Sequence, residues 1–148
     1  MRTEIGVKIL ALLLATGACE ATLPDDVEGY ATRCVRMNAT EIPPYDGDPH
    51  RGFKNVYACN VERAAVEANT RPFPEGALIV KESTRPGESA AWLVATARKQ
   101  NGNWQWDEYT RNFSDESLRH NLAASSVCTG CHQEARGVDW IFTSYFRP

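Results

Sequence analysis

Ala90-Ala91-Trp92-Leu93-Val94-Ala95-Thr96-Ala97 and Trp104-Gln105-Trp106-Asp107-Glu108-Tyr109 flank the dipeptide Asn101-Gly102. Both arms alternate. Trp92 and Val94 stand against Leu93 and Ala95 in the first, and Trp104 and Trp106 share a face of the second, as strands with two unlike faces require. Asn-Gly is the residue pair favoured in a two-residue hairpin turn, so the arms pair antiparallel. The tryptophans read as core or interface filling in preference to direct contact with a bound group, given the area such rings bury. Upstream, Ala77–Ser83 is another alternating strand, with Leu78 and Val80 on one face and Ile79 and Lys81 on the other. Lys81 therefore either shares a buried face or marks a solvated edge.

Further out, Phe53–Cys59 is β-rich and reads as the first strand, and Asn60 is placed to cap a helix running to Asn69. Val27, Tyr30, Ala31, Cys34 and Val35 recur at helical spacing behind Asp25 and Asp26. Between them, Ile42-Pro43-Pro44-Tyr45-Asp46-Gly47-Asp48-Pro49-His50-Arg51-Gly52 is an irregular loop, dense in proline, glycine and aspartate. A second loop covers Arg71–Gly76, and Arg85–Glu88 is a turn. Downstream, Leu118–Ser126 reads as helical, and Val138–Phe142 is the last largely apolar segment.

The chemistry is concentrated in Cys128-Thr129-Gly130-Cys131-His132. Thiols three residues apart lie about one helical turn from each other, so both can add across the vinyl groups of a haem while the adjoining imidazole reaches the iron. The pentapeptide also fits half of a zinc site or a thioredoxin-like pair. A structural zinc site needs two more soft ligands, and Cys34, Cys59 and His120 form no second close-spaced pair. A thioredoxin-like pair belongs near the start of a βαβ unit, whereas this motif comes late. The reading carried forward is one haem c, held by Cys128 and Cys131, with His132 as proximal iron ligand.

A length of 148 residues suits one domain. Sixteen basic against 19 acidic residues, the acids scattered, form no basic patch of the kind nucleic acid demands. Arg2 and Lys8 border an apolar run, Val7–Ala15, too short to span a bilayer. It leads into Thr16-Gly17-Ala18-Cys19, which is similar to a bacterial lipobox. Residues 1–18 are thus expected to be a signal peptide and 19–148 the haem domain, held at the periplasmic face of a membrane by lipid on Cys19. Ordinary cleavage with Cys19 incidental is the alternative; both export the chain. Cys34 and Cys59 are then left over, either as a disulfide in an oxidising compartment or as two separate buried thiols.

The proline-rich loop ending at His50, Gly52-Phe53-Lys54-Asn55-Val56-Tyr57, Phe73-Pro74-Glu75-Gly76-Ala77-Leu78-Ile79-Val80-Lys81-Glu82, the cysteine motif and Asp139-Trp140-Ile141-Phe142-Thr143 together resemble the cytochrome P460 family. The resemblance runs from about Tyr30 to Phe146. It implies an α+β fold, a mostly antiparallel β-sheet with a few short helices in a single domain, commonly a homodimer, with one five-coordinate c-type haem open on its distal face. The family lysine matched by Lys81 bonds covalently to the haem edge in P460 members and is replaced in the sister group, cytochrome c′-beta. P460 members oxidise hydroxylamine or bind nitric oxide; the sister group binds nitric oxide and related diatomics. Lys81 favours the first.

One departure concerns a distal carboxylate that the resemblance implies on the strand after the lysine strand. Here that strand, Ala90–Arg98, has no acid. Thr96 can donate a hydrogen bond but takes up no proton at neutral pH. Arg98 is the other polar side chain of that strand, so a base must come from His50 on the loop or from Glu82, which points away from Lys81 in a regular strand, or be absent. The expected activity is binding of hydroxylamine or nitric oxide with slow oxidation of hydroxylamine, electrons leaving to a redox-partner cytochrome. A nitric oxide sensor without turnover and a simple electron carrier are the alternatives. A carrier wants a second strong axial ligand, for which Met37, His50 and His120 are the supply.

Overall fold

The computed structural model describes residues 23–121 and 123–142, so the signal and lipobox readings fall outside the described residues. Strands β1 (Val35–Arg36), β2 (Phe53–Cys59), β3 (Leu78–Thr84), β4 (Ala91–Gln100), β5 (Asn103–Thr110) and β6 (Arg119–His120) lie side by side in chain order. Every neighbouring pair is antiparallel. Three short helices accompany the sheet, α1 (Tyr30–Arg33), α2 (Arg63–Glu67) and α3 (Ala124–His132), and a 3₁₀ helix, Gln133–Val138, follows α3. This is the α+β, largely antiparallel single domain expected. At the hairpin, Asn101 and Gly102 take φ of 51° and 73°, the two left-handed residues such a turn needs.

The alternation of β2 to β5 sorts side chains onto two faces, each with its own core. On one, Val56, Ala58, Ile79, Ala97 and Trp106 pack with Phe73, Ala77 and Ile141. On the other, Tyr57, Leu78, Val80, Val94 and Tyr109 pack with Val27. The first face carries α3 and the cysteine motif; the second is covered by the N-terminal segment.

Three expectations about helices are corrected. The spacing from Val27 to Val35 yields only α1, because Gly29 precedes it at φ 69° and Cys34 follows it in extended geometry. Cys34 is joined there to Cys59, with Cα atoms 4.5 Å apart, and Val35 pairs with Ala58 as a strand. Asn60 sits at φ 56° in a turn, and Glu62 is the residue that precedes α2. The Leu118–Ser126 segment divides: Arg119 and His120 pair with Thr110 and Tyr109, and the helix starts only at Ala124. In each case a long-range partner overrides the local spacing.

The disulfide closes a loop with a sequence separation of 25. Replacing Cys34 and Cys59 together by serine is expected to cost about 3 kcal/mol, the chain entropy returned to the unfolded state. Urea unfolding of the oxidised protein and the variant measures it.

The proline-rich loop is fastened to the sheet. Ile42 bridges Lys54 across the backbone. The buried Lys54 ammonium donates to the carbonyls of Pro43 (3.2 Å) and Gly52 (3.0 Å) and is ion-paired with the buried Asp48. Ser83 Oγ donates to the His50 carbonyl at 2.8 Å and to that of Arg51. Gly52, at φ 65°, lies where any Cβ would collide with the Thr84 carbonyl. The loop residue His50 is thereby held in place above β3.

Candidate haem site

Helix α3 displays Cys128 half-buried and Cys131 exposed, both as free thiols. His132 ends the helix. Its Nδ1 lies 2.7 Å from the carbonyl oxygen of Trp140. A carbonyl only accepts, so the proton is on Nδ1 and the Nε2 lone pair is free, as a metal requires. The imidazole sits 4.3 Å from the Trp106 ring and 5.2 Å from that of Phe142. Burial holds its pKa below the ordinary value, against the Trp140 hydrogen bond.

Beside it is a small cavity walled by apolar side chains including Val56, Ile79, Ala97 and Ile141, with Cys128 and His132 on its border. A second recess shares His50, Lys81, His132 and Phe142 with it and borders Cys131. The residues fit haem: two free thiols a helical turn apart, one bordering each recess, an imidazole with Nε2 available, and an apolar bed. They do not fit zinc, since among the described residues no group of three His, Cys, Asp or Glu side chains could hold a metal ion. Cys34 and Cys59 are bonded to each other, and His120 is paired with Asp107 at 2.8 Å. A thioredoxin-like reading lacks its βαβ unit in an antiparallel sheet.

Lys81 projects beside Ile79 into the cavity, with Val56 and Ala95 as its cross-strand neighbours. It forms no hydrogen bond or ion pair among the described residues. Burial lowers its pKa to about 8, against the pull of Asp48. A neutral amine, unlike an ammonium, is a nucleophile. His50 borders both recesses, and its Nδ1 is buried without a hydrogen-bond partner. Burial, then the charges of Lys81, His132 and Lys54, push its imidazole down to about 2. His50 is thus a neutral hydrogen-bonding group and not a base at neutral pH.

The other two sequence candidates fare differently. Thr96 borders the cavity, but the register sets it opposite Val80, on the face turned from Lys81. Arg98 stands opposite Leu78 and is ion-paired with Asp26, outside the site. Glu82 is on the far face as well, accepting from Tyr30 (2.5 Å), Tyr57 (2.9 Å) and Asn55 (3.0 Å).

Two residues of the site were not identified from the sequence. Trp106 is both core and cavity wall, against His132. Glu108 pairs with Ala95, so Val56, Lys81, Ala95 and Glu108 form one row across the face that carries the cavity. Asn121 Nδ2 donates to Glu108 Oε1 at 2.9 Å. The carboxylate is close enough to Cys128 to help burial raise that thiol's pKa. The signal existed. A two-residue turn at Asn101-Gly102 sets Gln100 opposite Asn103 and, counting back, Ala95 opposite Glu108.

Among curated proteins none matches this chain. The family model described as Cytochrome P460 matches residues 28–143, a span that takes in the His50 loop, the Lys81 strand and the whole cysteine motif. Since that match covers most of the chain and the side chains it brings together suit a covalently held haem, this protein belongs to the cytochrome P460 family and is a c-type haem cytochrome.

Proposed function

We propose that this cytochrome works in the periplasm, binding hydroxylamine or nitric oxide at an open distal haem face and oxidising hydroxylamine slowly, its electrons passing to another cytochrome. The observation that carries this reading is the pair of polar groups at an otherwise apolar cavity: the Lys81 amine and the buried, unpartnered Nδ1 of His50. Haem, when bound, supplies an iron with a free sixth position at which small nitrogen ligands coordinate and exchange electrons. His132 would hold the iron through Nε2, its Nδ1 being occupied by the Trp140 carbonyl. His50, neutral, offers a hydrogen bond to a small molecule without taking its proton. The apolar walls limit water and bulky ligands. Lys81, with its lowered pKa, is suited to bond through Nζ to the haem edge.

The carrier reading finds little support in the neighbouring side chains. Met37 is buried in the core and is not among the cavity's lining residues, and His120 is tied to Asp107 at the edge of the sheet. That leaves His50 and the Lys81 amine as the competing axial ligands among the described residues of the cavity. The optical spectrum of the ferrous protein decides. A Soret band displaced far to the red, with five-coordinate features that change on adding nitric oxide, is expected. Six-coordinate low-spin bands lost in His50→Ala would make the protein a carrier. In the same preparation, peptide mass spectrometry is expected to find the Lys81 peptide joined to the haem peptide of Cys128 and Cys131; a free Lys81 peptide in full yield ends the cross-link.

The Cys34–Cys59 disulfide supports export, because such bonds persist in oxidising compartments. A diacylated Cys19 would anchor the chain firmly. Cell fractionation should find the wild type with membranes and Cys19→Ser in the soluble periplasm. A soluble wild type would mean ordinary signal cleavage.

A further inference from the structure

The partner of His132 Nδ1 is a backbone carbonyl eight residues away, that of Trp140, beyond the 3₁₀ helix. Asp139 and Trp140, at φ 57° and 64°, make two consecutive left-handed residues that set the direction of that carbonyl. For a tryptophan this conformation is an outlier, costing about 1–2 kcal/mol. The backbone bonds of the 3₁₀ end, Asp139 N–H to Arg136 (3.2 Å) and Trp140 N–H to Ala135 (2.8 Å), close the turn but attach it only to its own helix.

The Asp139 side chain attaches it to the sheet. Its Oδ2 accepts from the Phe73 backbone N–H at 2.8 Å and from the Lys99 ammonium at 2.7 Å, and its Oδ1 from Trp104 Nε1 at 3.4 Å. These donors come from the loop before β3, from β4 and from β5. Lys99 is buried, and Asp139 is its one anionic partner among the described residues. One residue further on, Ile141 is buried in the same core, and Phe142 sets its ring edge-on to His132.

We infer that Asp139 is the positioning residue of the proximal histidine: it fixes the left-handed turn that aims the Trp140 carbonyl at His132 Nδ1. A hydrogen bond to the second imidazole nitrogen orients the ring and raises its basicity toward a metal on the first. Asp139 thereby sets how strongly His132 donates to iron, without touching either haem or its distal ligand. The inference rests on the haem assignment and is independent of what binds on the distal side.

The test compares Asp139→Ala, Asp139→Asn and the double variant Asp139→Ala, Lys99→Met with wild type, each carrying covalent haem. In Asp139→Ala the iron–histidine stretching band of the ferrous protein, read by resonance Raman, should move to lower frequency, and the midpoint potential should rise. Asp139→Asn keeps an acceptor for the Phe73 N–H and should return most of the shift. The double variant removes the unpaired buried ammonium, so it restores stability but leaves the band displaced; it also keeps the test readable if Asp139→Ala alone fails to fold. A folded, haem-loaded double variant with wild-type band and potential would show that Asp139 only neutralises Lys99. A wild type that is five-coordinate and high-spin in the ferrous state yet shows no iron–histidine band would overturn His132 as ligand, and this inference with it.

Discussion

In a Lys81→Ala background, which removes the proposed bond from Nζ to the haem edge, replacing Cys128 and Cys131 together by serine is expected to abolish covalent haem completely. Both thiols are free and sit one turn apart on α3, with Cys128 against the first cavity and Cys131 at the second recess. A serine hydroxyl adds to neither vinyl group under the conditions in which a thiolate does, because it is far less acidic and far less nucleophilic. Either single change leaves one thioether, so haem stays attached by one edge. His132→Ala keeps both thioethers and removes the proximal base, so haem remains bound to the chain while the iron loses its nitrogen. A denaturing gel stained for haem peroxidase activity separates the cases: stain in wild type, in each single cysteine variant and in His132→Ala, and none in the double variant. Stain persisting in the double variant would falsify the attachment site.

How far the sequence reaches depends on the kind of information a residue carries. Phe53–Cys59 was legible to the residue, since its β-rich composition acts locally, whereas Asn60, expected to cap a helix, takes a φ of 56° outside it. The β4–β5 hairpin was legible because Asn101-Gly102 fixes its turn and hence its register. The fold class came from the family resemblance. What escaped was set by distant partners. Cys34 and Val35 carry helical spacing, yet a disulfide and a strand pairing hold them extended. Arg119 and His120 look helical until β5 offers them a ladder. In the site, the cysteine motif was readable from its spacing and Lys81 from the family resemblance, since alternation left it either buried or at an edge, whereas strand parity puts Arg98 with Leu78, away from the site. Asp139 could not have been assigned a role from spacing alone: its donors come from positions 73, 99 and 104.

Placing a carboxylate directly opposite Lys81, by Ala95→Glu, is expected to speed hydroxylamine oxidation by a factor on the order of a hundred to ten thousand, the usual worth of a positioned base. The reaction removes protons together with electrons, so a site without a proton acceptor nearby is slow however well it binds. In the native chain Ala95 occupies that place, and β4 carries no acid. His50 is close, but with its pKa pushed to about 2 it stays neutral and gives up no lone pair to a proton at pH 7. Glu108 is in the same row one strand further on, drawn toward Asn121 on the Cys128 side. It and Glu134, which borders the second recess with His50 and Lys81, are therefore the expected sources of whatever slow turnover the native protein has. Steady-state assays with an artificial electron acceptor should show Ala95→Glu fast and Ala95→Gln slow, which separates a base from a mere change in polarity. Glu108→Gln should lower the native rate further, while His50→Ala should weaken ligand binding more than kcat, since a hydrogen bond made before and during the reaction alike is uniform binding. Fast oxidation by the unmodified protein, untouched by Glu108→Gln, would mean that the proton leaves by a route outside this row.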